Sequence, residues 1–121
     1  MTTVPSFLLK KLYVSGSLAN VEGGFEFRLK NTLATGTIIG LAGLKVDNTA
    51  YPPDAIRLVG PQGEIAISDI SAKNPLTFAL NDVVTVRVSA GPLTSGTHQL
   101  TIIPQTKEAG DLYITASDVI Q

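Results

Sequence analysis

Apolar and polar side chains alternate along most of this chain, which is the pattern of extended strands. Residues 23–31, GGFEFRLKN, place three apolar side chains on one face of such a strand and three charged ones on the other. The apolar face holds Phe25, Phe27 and Leu29, and the charged face holds Glu26, Arg28 and Lys30. Similar runs recur about every eight to twelve residues between clusters of Gly, Pro, Asn and Asp. This spacing predicts an all-β fold, a single antiparallel β-sandwich of about nine short strands, immunoglobulin-like or jelly-roll-like.

Turn residues bound most of the predicted strands. We predict strands over residues 12–18, 25–30, 35–46, 55–59, 64–67, 76–80, 83–88, 98–102 and 112–120. The first of these has an alternative, because the apolar positions of SFLLKKLYV, residues 6–14, also fit one face of a helix capped by Ser6. We favour a strand from about Leu12 to Leu18 and leave open one turn of helix before it.

Four local signals predict where these strands turn, bend or end. The first strand should pair with residues 25–30 through a loop over 19–24, where Asn20 and Gly23-Gly24 suit a tight reversal. Asn81-Asp82 predicts a second hairpin, between strands 76–80 and 83–88. Glycines inside residues 35–46 predict a bulge or a close approach of another backbone; they are Gly36, Gly40 and Gly43. Pro104 is expected to end its strand.

The composition bears on assembly. The chain has 121 residues, which suits one domain spanning 1–121. Charged residues make up 16%, against about 25% in an average soluble domain, and mean hydropathy is +0.26. A small sandwich with so little charge has more apolar surface than it hides by itself. We therefore expect a buried interface, with either further copies of this chain or a larger enzyme subunit as the partner.

Several partners and cofactors are not expected. No segment is basic enough to follow a phosphate backbone, and aromatic residues are 6%, which disfavours nucleic acid. The absence of cysteine excludes disulfides and thiolate metal sites. The N-terminal MTTVPSFLLKKLYV lacks a basic start and a long apolar run, so we expect neither a secretion signal nor a membrane span, and the cytoplasm is the default location. No nucleotide-binding glycine motif occurs, and we expect no cofactor and no metal.

Catalytic chemistry has little to build on in this sequence. His98 is the single histidine, and its strand phase places it beside Leu100 and Ile102. We expect a partly buried histidine bonded to a backbone carbonyl, while a general base or a contact to a partner's site stays open. No G-x-S-x-G motif is present, and no catalytic residue is assigned.

Two further interpretations remain. One is a small-ligand or carbohydrate-binding module, which would use the loops around Gly40, Tyr51 and His98. The other is a small enzyme in its own right. Arg28 lies on the charged face of its strand, and we expect this face to be the solvent side or the rim of an interface. The candidate ligand or partner contacts are His98, Tyr51, Gly40 and Arg28.

Three sequence stretches, residues 23–48, 51–64 and 83–102, carry a resemblance to known proteins. A strand that begins at a Gly-Phe pair leads to the turn Val46-Asp47-Asn48, and a late segment holds Pro92-Leu93, Gly96, His98, Leu100 and Ile102. In these features the chain resembles the small β-subunit domain of bacterial C-glycoside deglycosidases. That resemblance implies an accessory β-sandwich subunit, with the metal and the catalytic base on a separate barrel subunit and no catalytic residue on this chain.

The chain also looks like short bacterial proteins labelled hydroxymethylglutaryl-coenzyme A reductase. A complete reductase requires a much longer chain, with a cofactor domain and catalytic Glu, Lys, Asp and His residues. This second resemblance therefore implies no reductase activity for the 121 residues by themselves.

Overall fold

Two antiparallel sheets form the two layers of a β-sandwich, as the alternation predicts. The computed structural model describes residues 4–121; residues 1–3, part of the stretch predicted to lack a secretion signal, lie outside the described residues. A short helix α1 (Ser6–Leu9) precedes the strands, and 3₁₀ turns occur at Lys10–Leu12, Pro53–Ala55 and Ile67–Asp69. The strands are β1 (Ala19–Val21), β2 (Gly24–Lys30), β3 (Gly36–Val46), β4 (Thr49–Ala50), β5 (Ile56–Gly60), β6 (Gly63–Ala66), β7 (Leu76–Phe78), β8 (Val83–Ser89), β9 (Gly96–Thr106), β10 (Gly110–Asp111) and β11 (Ile114–Ile120).

All strand pairs are antiparallel, and they form two sheets. The five-stranded sheet has the order β1-β2-β8-β5-β6. The six-stranded sheet has the order β10-β9-β3-β4, with β11 also paired to β9 and β7 also paired to β3. Eight of the predicted strands are therefore present, and β1, β4 and β10 are additional pieces of two or three residues.

The core lies between the inward faces of the two sheets. Phe27 pairs with Val86, which in turn pairs with Leu58, so that three strands of one sheet contribute a continuous apolar row. Leu44 and Ile102 form the facing row from the other sheet, and all five side chains are buried. Because these residues follow the alternation in the sequence, burial of one face explains both the strand identity and the register.

The predicted strand over 12–18 is wrong, whereas the turn of helix before it is confirmed. Leu12 and Tyr13 follow Leu9 by three and four residues, and the helical turns bury all three side chains against the sandwich. The segment therefore follows the helical spacing of its apolar residues, and not the two-residue alternation that also fitted the sequence. The chain next meets β2 through an isolated bridge between Tyr13 and Leu29, without forming a strand. The Val14 amide also donates to the Arg28 carbonyl at 3.0 Å, and the Arg28 amide donates to Ser17 Oγ at 2.9 Å. The hairpin with β2 is formed by β1, through a tighter turn than the predicted loop 19–24.

The predicted hairpin at Asn81-Asp82 is also wrong, although a turn is present there. Asn81 has a positive φ of 74°, but β7 pairs with β3 in one sheet while β8 pairs with β2 and β5 in the other. The backbone of Asn31 bonds to both turn residues, at 2.8 Å to the Asn81 amide and 3.0 Å to the Asp82 carbonyl. The turn thus carries the chain across the sandwich, anchored on the end of β2.

The prediction that Pro104 ends its strand is wrong as well, because β9 continues to Thr106. A strand residue directs its N and its carbonyl to the same side, and the Pro104 carbonyl accepts a bond from the Leu112 amide at 2.9 Å. Leu112 lies between β10 and β11, where no ladder is formed on β9. The missing amide proton of Pro104 therefore interrupts no strand pairing.

The glycines of β3 confirm the predicted irregularity. The register between β3 and β9 shifts between Ile38 and Gly40 and again between Leu41 and Gly43. A Cβ at Gly40 would meet the side-chain oxygen of Gln105 at 2.6 Å, so the absence of a side chain lets Gln105 lie over the backbone. These shifts bend β3 along its eleven residues and give the six-stranded sheet its curvature.

Candidate functional site

The outer faces of the two sheets differ sharply in charge. On the five-stranded sheet, outward positions carry six ionisable side chains: Glu26, Arg28, Lys30, Arg57, Glu64 and Arg87. On the six-stranded sheet, β3, β9 and β11 present only Lys45 as a charged outward residue. We call these the charged face and the low-charge face. The chain's shortage of charge is therefore concentrated on one side of the molecule.

The charged face satisfies its own charges. Arg87 Nε lies 3.1 Å from Glu26, and Arg87 Nη1 lies 3.6 Å from Glu64, which also pairs with Arg57 at 3.2 Å. The row crosses four strands and remains exposed to solvent. Exposed pairs of this kind each contribute roughly 0 to 1 kcal/mol, so their main effect is to keep this face hydrated. The geometry supports the solvent-side interpretation of this face.

The low-charge face offers small polar and aliphatic groups. Its outward residues are Thr37, Gly40, Gly43, Lys45, Thr97, Gln99, Thr101, Ile103, Gln105, Thr115, Ser117 and Val119. Ser117 Oγ donates to Gln99 Oε1 at 2.8 Å, and Val119 is 48% exposed. Glu108 and Asp111 lie at the edge of this face, in the short β9–β10 hairpin. Covering such a face would require the desolvation of only one charge near its centre.

At one end of the sandwich, His98 joins two loops. Its Nδ1 lies 2.8 Å from Asp47 Oδ2, in the turn between β3 and β4, and its Nε2 lies 2.7 Å from the Thr94 carbonyl, in the loop before β9. The residue is only 5% exposed. The predicted burial of His98 and its bond to a backbone carbonyl are thus confirmed.

The two partners of His98 determine its charge. A carbonyl and an ionised carboxylate can only accept hydrogen bonds, so both contacts of the ring are satisfied together when both ring nitrogens carry a proton. The carbonyl of Thr94 and then the carboxylate of Asp47 raise the pKa of His98, and burial opposes them to a smaller degree. The Gln99 amide and then His98 lower the pKa of Asp47. His98 therefore holds two loops together with both ring nitrogens engaged, and its two partners favour the protonated form.

Asp118 ties the N-terminal segment to the last strand. It pairs with His98 across β9 and β11, and its Oδ2 accepts bonds from the Tyr13 hydroxyl at 2.6 Å and the amides of Gly16 and Leu18. Burial raises the pKa of Asp118, but the bonds from Tyr13 and the amides of Val119, Leu18 and Gly16 together outweigh it and lower that pKa. Burial and then Asp118 raise the pKa of Tyr13.

The four residues proposed as contacts lie in different places. Arg28 is on the charged face, and Gly40 is on β3 under the Gln105 side chain. Tyr51 follows β4 and packs its ring edge-on against Phe25, with centroids 5.3 Å apart. Among residues 4–121, no side-chain hydrogen bond or ion pair joins any two of the four.

Sequence reasoning missed the acidic partners at this end of the sandwich. Asp47 was expected only as a turn residue, and Asp118 was not singled out. Asp47 is 51 residues from His98, and Asp118 is 105 residues from Tyr13. Strand alternation does place His98 and Asp118 on inward faces, where a charged group needs a partner. This placement could have indicated that each of them has a polar contact.

Metal and membrane sites receive no support from the described part of the chain. Within residues 4–121, no three His, Asp or Glu side chains come close enough together to hold an ion. No helix in that range has the length and apolarity needed to cross a bilayer.

The family model described as hydroxymethylglutaryl-CoA reductase, N-terminal domain, matches residues 8–121. The chain belongs to this family. The match begins in α1 and ends after β11, so the hydroxymethylglutaryl-CoA reductase N-terminal domain family covers both sheets, the low-charge face and the His98 cluster. It supports the second of the two resemblances seen in the sequence. Among curated proteins, no sequence matches this chain.

Proposed function

We propose that this chain is a non-catalytic β-sandwich subunit or domain that assembles through its low-charge face, with further copies of itself or with a larger catalytic subunit. The observation that carries the proposal is the contrast between the two outer faces. One has six ionisable side chains, and the other has Lys45 alone on its three long strands. We take residues 1–121 to form one domain.

The physical argument is the cost of removing water from each face. Docking through the charged face would bury or break the Arg57, Glu64, Arg87 and Glu26 row, and buried ion pairs recover their desolvation cost only with excellent geometry. Docking through the low-charge face removes water mainly from hydroxyls, amides and methyl groups. Hydroxyls and amides can regain hydrogen bonds across an interface.

The size of the low-charge face suits a specific interface. β9 has eleven residues, and a strand rises about 3.4 Å per residue with about 4.8 Å between strands. Four adjacent strands of the six-stranded sheet therefore cover on the order of 600 Å². A standard protein interface buries about 800 Å² on each partner, so this face with its surrounding loops is large enough.

The catalytic partner would supply the reacting groups that this chain lacks. Its single histidine has both nitrogens engaged, and residues 4–121 bring no metal-ligand group together. The family description, an N-terminal domain of a reductase, favours a reductase-type catalytic unit as the partner. The resemblance to the small subunit of C-glycoside deglycosidases favours a barrel subunit of that enzyme instead. In both cases the chain supplies an assembly surface and no reacting group.

A matched pair of variants tests the role of the low-charge face. Thr101 and Thr85 are half-buried threonines at outward positions in the middle of β9 and β8, one on each face. Thr101→Arg should weaken assembly at least tenfold because it introduces an unpaired charge into the interface. Thr85→Arg should leave assembly unchanged, because it adds a charge to a face that is already hydrated.

Assembly would be measured by light scattering over micromolar concentrations and by isolation of the tagged chain from its native host. The melting temperature of each variant shows whether it is folded. Equal weakening by both variants would contradict the assignment of the face. Mass spectrometry of a co-purified protein distinguishes a reductase-type partner from a deglycosidase subunit, and a single repeated mass indicates self-assembly.

A further inference from the structure

A cavity of about 80 Å³ lies between the two sheets. The five-stranded sheet contributes Leu29, Val84 and Val86 to its wall, and the six-stranded sheet contributes Ile38, Ile102 and Ile114. Interiors of globular proteins are normally packed with few voids larger than a water molecule. A space of this volume is therefore unusual in the core of a small domain.

The cavity offers no partner for a polar molecule. Its main polar lining groups are Asn31 and Thr106. The Asn31 amide donates to the Ala34 and Phe78 carbonyls and accepts from the Leu33 amide. The Thr106 hydroxyl donates to the Gly110 carbonyl and accepts from the Ala109 amide. Water needs about two to four hydrogen bonds to occupy a buried site, so this cavity favours an apolar occupant.

One end of the cavity reaches the surface of the sandwich. Its lining includes Ala34, which is exposed, and Leu33, Gly36, Phe78 and Leu112, which are partly exposed. These residues come from the loop between β2 and β3, from β7 and from the segment before β11. Gly36 has no side chain to close the gap. The cavity therefore lies closest to solvent at this end.

We propose that this cavity binds the hydrocarbon end of an amphiphilic ligand, with the polar end of the ligand in solvent at the mouth beside Ala34. A cavity of about 150 Å³ holds benzene, so a volume of 80 Å³ suits an unbranched chain end of about three or four carbon atoms. The site would be separate from the low-charge face, because its wall consists of inward side chains.

Methyl NMR of the whole chain with two matched alcohols tests this site. 1-Butanol can place a methyl end in the cavity, whereas 1,4-butanediol has a hydroxyl at both ends and cannot. 1-Butanol should shift the methyl resonances of Val84 and Val86 in a saturable way and leave Val88 unaffected, since Val88 lies on the same strand but outside the cavity. Xenon under pressure should shift the same methyl groups, because it needs no hydrogen bond.

Two variants with controls complete the test. Val86→Ile adds one methylene to the cavity wall and should weaken 1-butanol binding at least threefold, whereas Val88→Ile should change it less than twofold. Ala34→Leu narrows the mouth at an exposed position, and it should weaken binding even if Val86→Ile fails to fold. Its control is Ala50→Leu, an exposed alanine on β4 outside the cavity.

Three results would overturn the proposal. One is an equal response to 1-butanol and 1,4-butanediol. Another is a response to xenon alone, which would show that the mouth does not admit a chain end. The third is unchanged 1-butanol binding by Ala34→Leu and by folded Val86→Ile. All readouts use the isolated chain, so none of them depends on assembly through the low-charge face.

Discussion

Replacing Asp118 with alanine should detach the N-terminal segment from β11. The substitution removes the three hydrogen bonds that the carboxylate accepts from the N-terminal segment: from the Tyr13 hydroxyl at 2.6 Å, the Gly16 amide at 3.0 Å and the Leu18 amide at 3.2 Å. A hydrogen bond to a charged group contributes about 1.5 to 3 kcal/mol, and the exposed Gly16 amide can bond to water instead. Counting the other two bonds at the low end, we expect a loss of about 3 kcal/mol, equivalent to a fall of about 12 °C in Tm.

Urea unfolding at neutral pH, followed by circular dichroism, would measure this loss. Tyr13→Phe removes one of the three bonds, and a double-mutant cycle with Asp118→Ala should give a coupling of about 1 to 2 kcal/mol. Tyr13 also lies over Phe27, with ring centroids 5.9 Å apart, and phenylalanine preserves that contact. A loss below about 0.5 kcal/mol for Asp118→Ala, as for an ordinary surface substitution, would refute the reasoning.

Acidification provides a second readout of the same contact. The folded-state pKa of Asp118 is lowered, so its contribution to stability is complete above the unfolded-state pKa and disappears as the pH falls through the folded-state value. The wild type should therefore lose stability below about pH 4, the ordinary pKa of an aspartate. Asp118→Asn should show a smaller change over that range, and equal acid sensitivity of the two proteins would count against the assignment.

The other predictions concern His98 and Gly24. The folded-state pKa of His98 is raised, so its stabilisation is complete below the unfolded-state value of about 6.5 and is lost as the pH rises through the folded-state pKa. The Tm of the wild type should fall on the alkaline side, and His98→Asn should lack this fall; parallel curves for the two proteins would exclude the imidazolium. A Cβ at Gly24 would overlap the Val88 carbonyl oxygen on the paired strand, so Gly24→Ala should lose more than about 3 kcal/mol in urea unfolding. Gly91→Ala enters open space and should stay within about 0.5 kcal/mol of the wild type; a mild Gly24→Ala would mean that the two strands separate easily.

The sequence allowed the prediction of strands but not of their partners. Alternation at Phe25, Phe27 and Leu29 places that face in the core because one wrong step would expose all three side chains. The turn residues Asn81 and Asp82 specify a reversal, yet they contain no information about which sheet follows. That choice depends on Asn31, fifty residues earlier in the chain, whose backbone binds both turn residues.

The candidate site was harder to predict than the fold. Burial of His98 follows from its phase in β9, but its charge depends on Asp47 and on the Thr94 carbonyl, which loops bring to it. The low content of charged residues predicted an interface. The position of that interface on the molecule depends on which strands share a sheet. Only the topology shows that the ionisable residues of β2, β5, β6 and β8 fall on one face together.

The mass of the particle isolated from the native host tests the central claim most directly. The chain has a mass of 12.7 kDa, and light scattering at micromolar concentration distinguishes this value from any assembly. Assembly through the low-charge face predicts either a multiple of 12.7 kDa or a larger particle that contains a second protein. A particle of 12.7 kDa with no companion protein would contradict it.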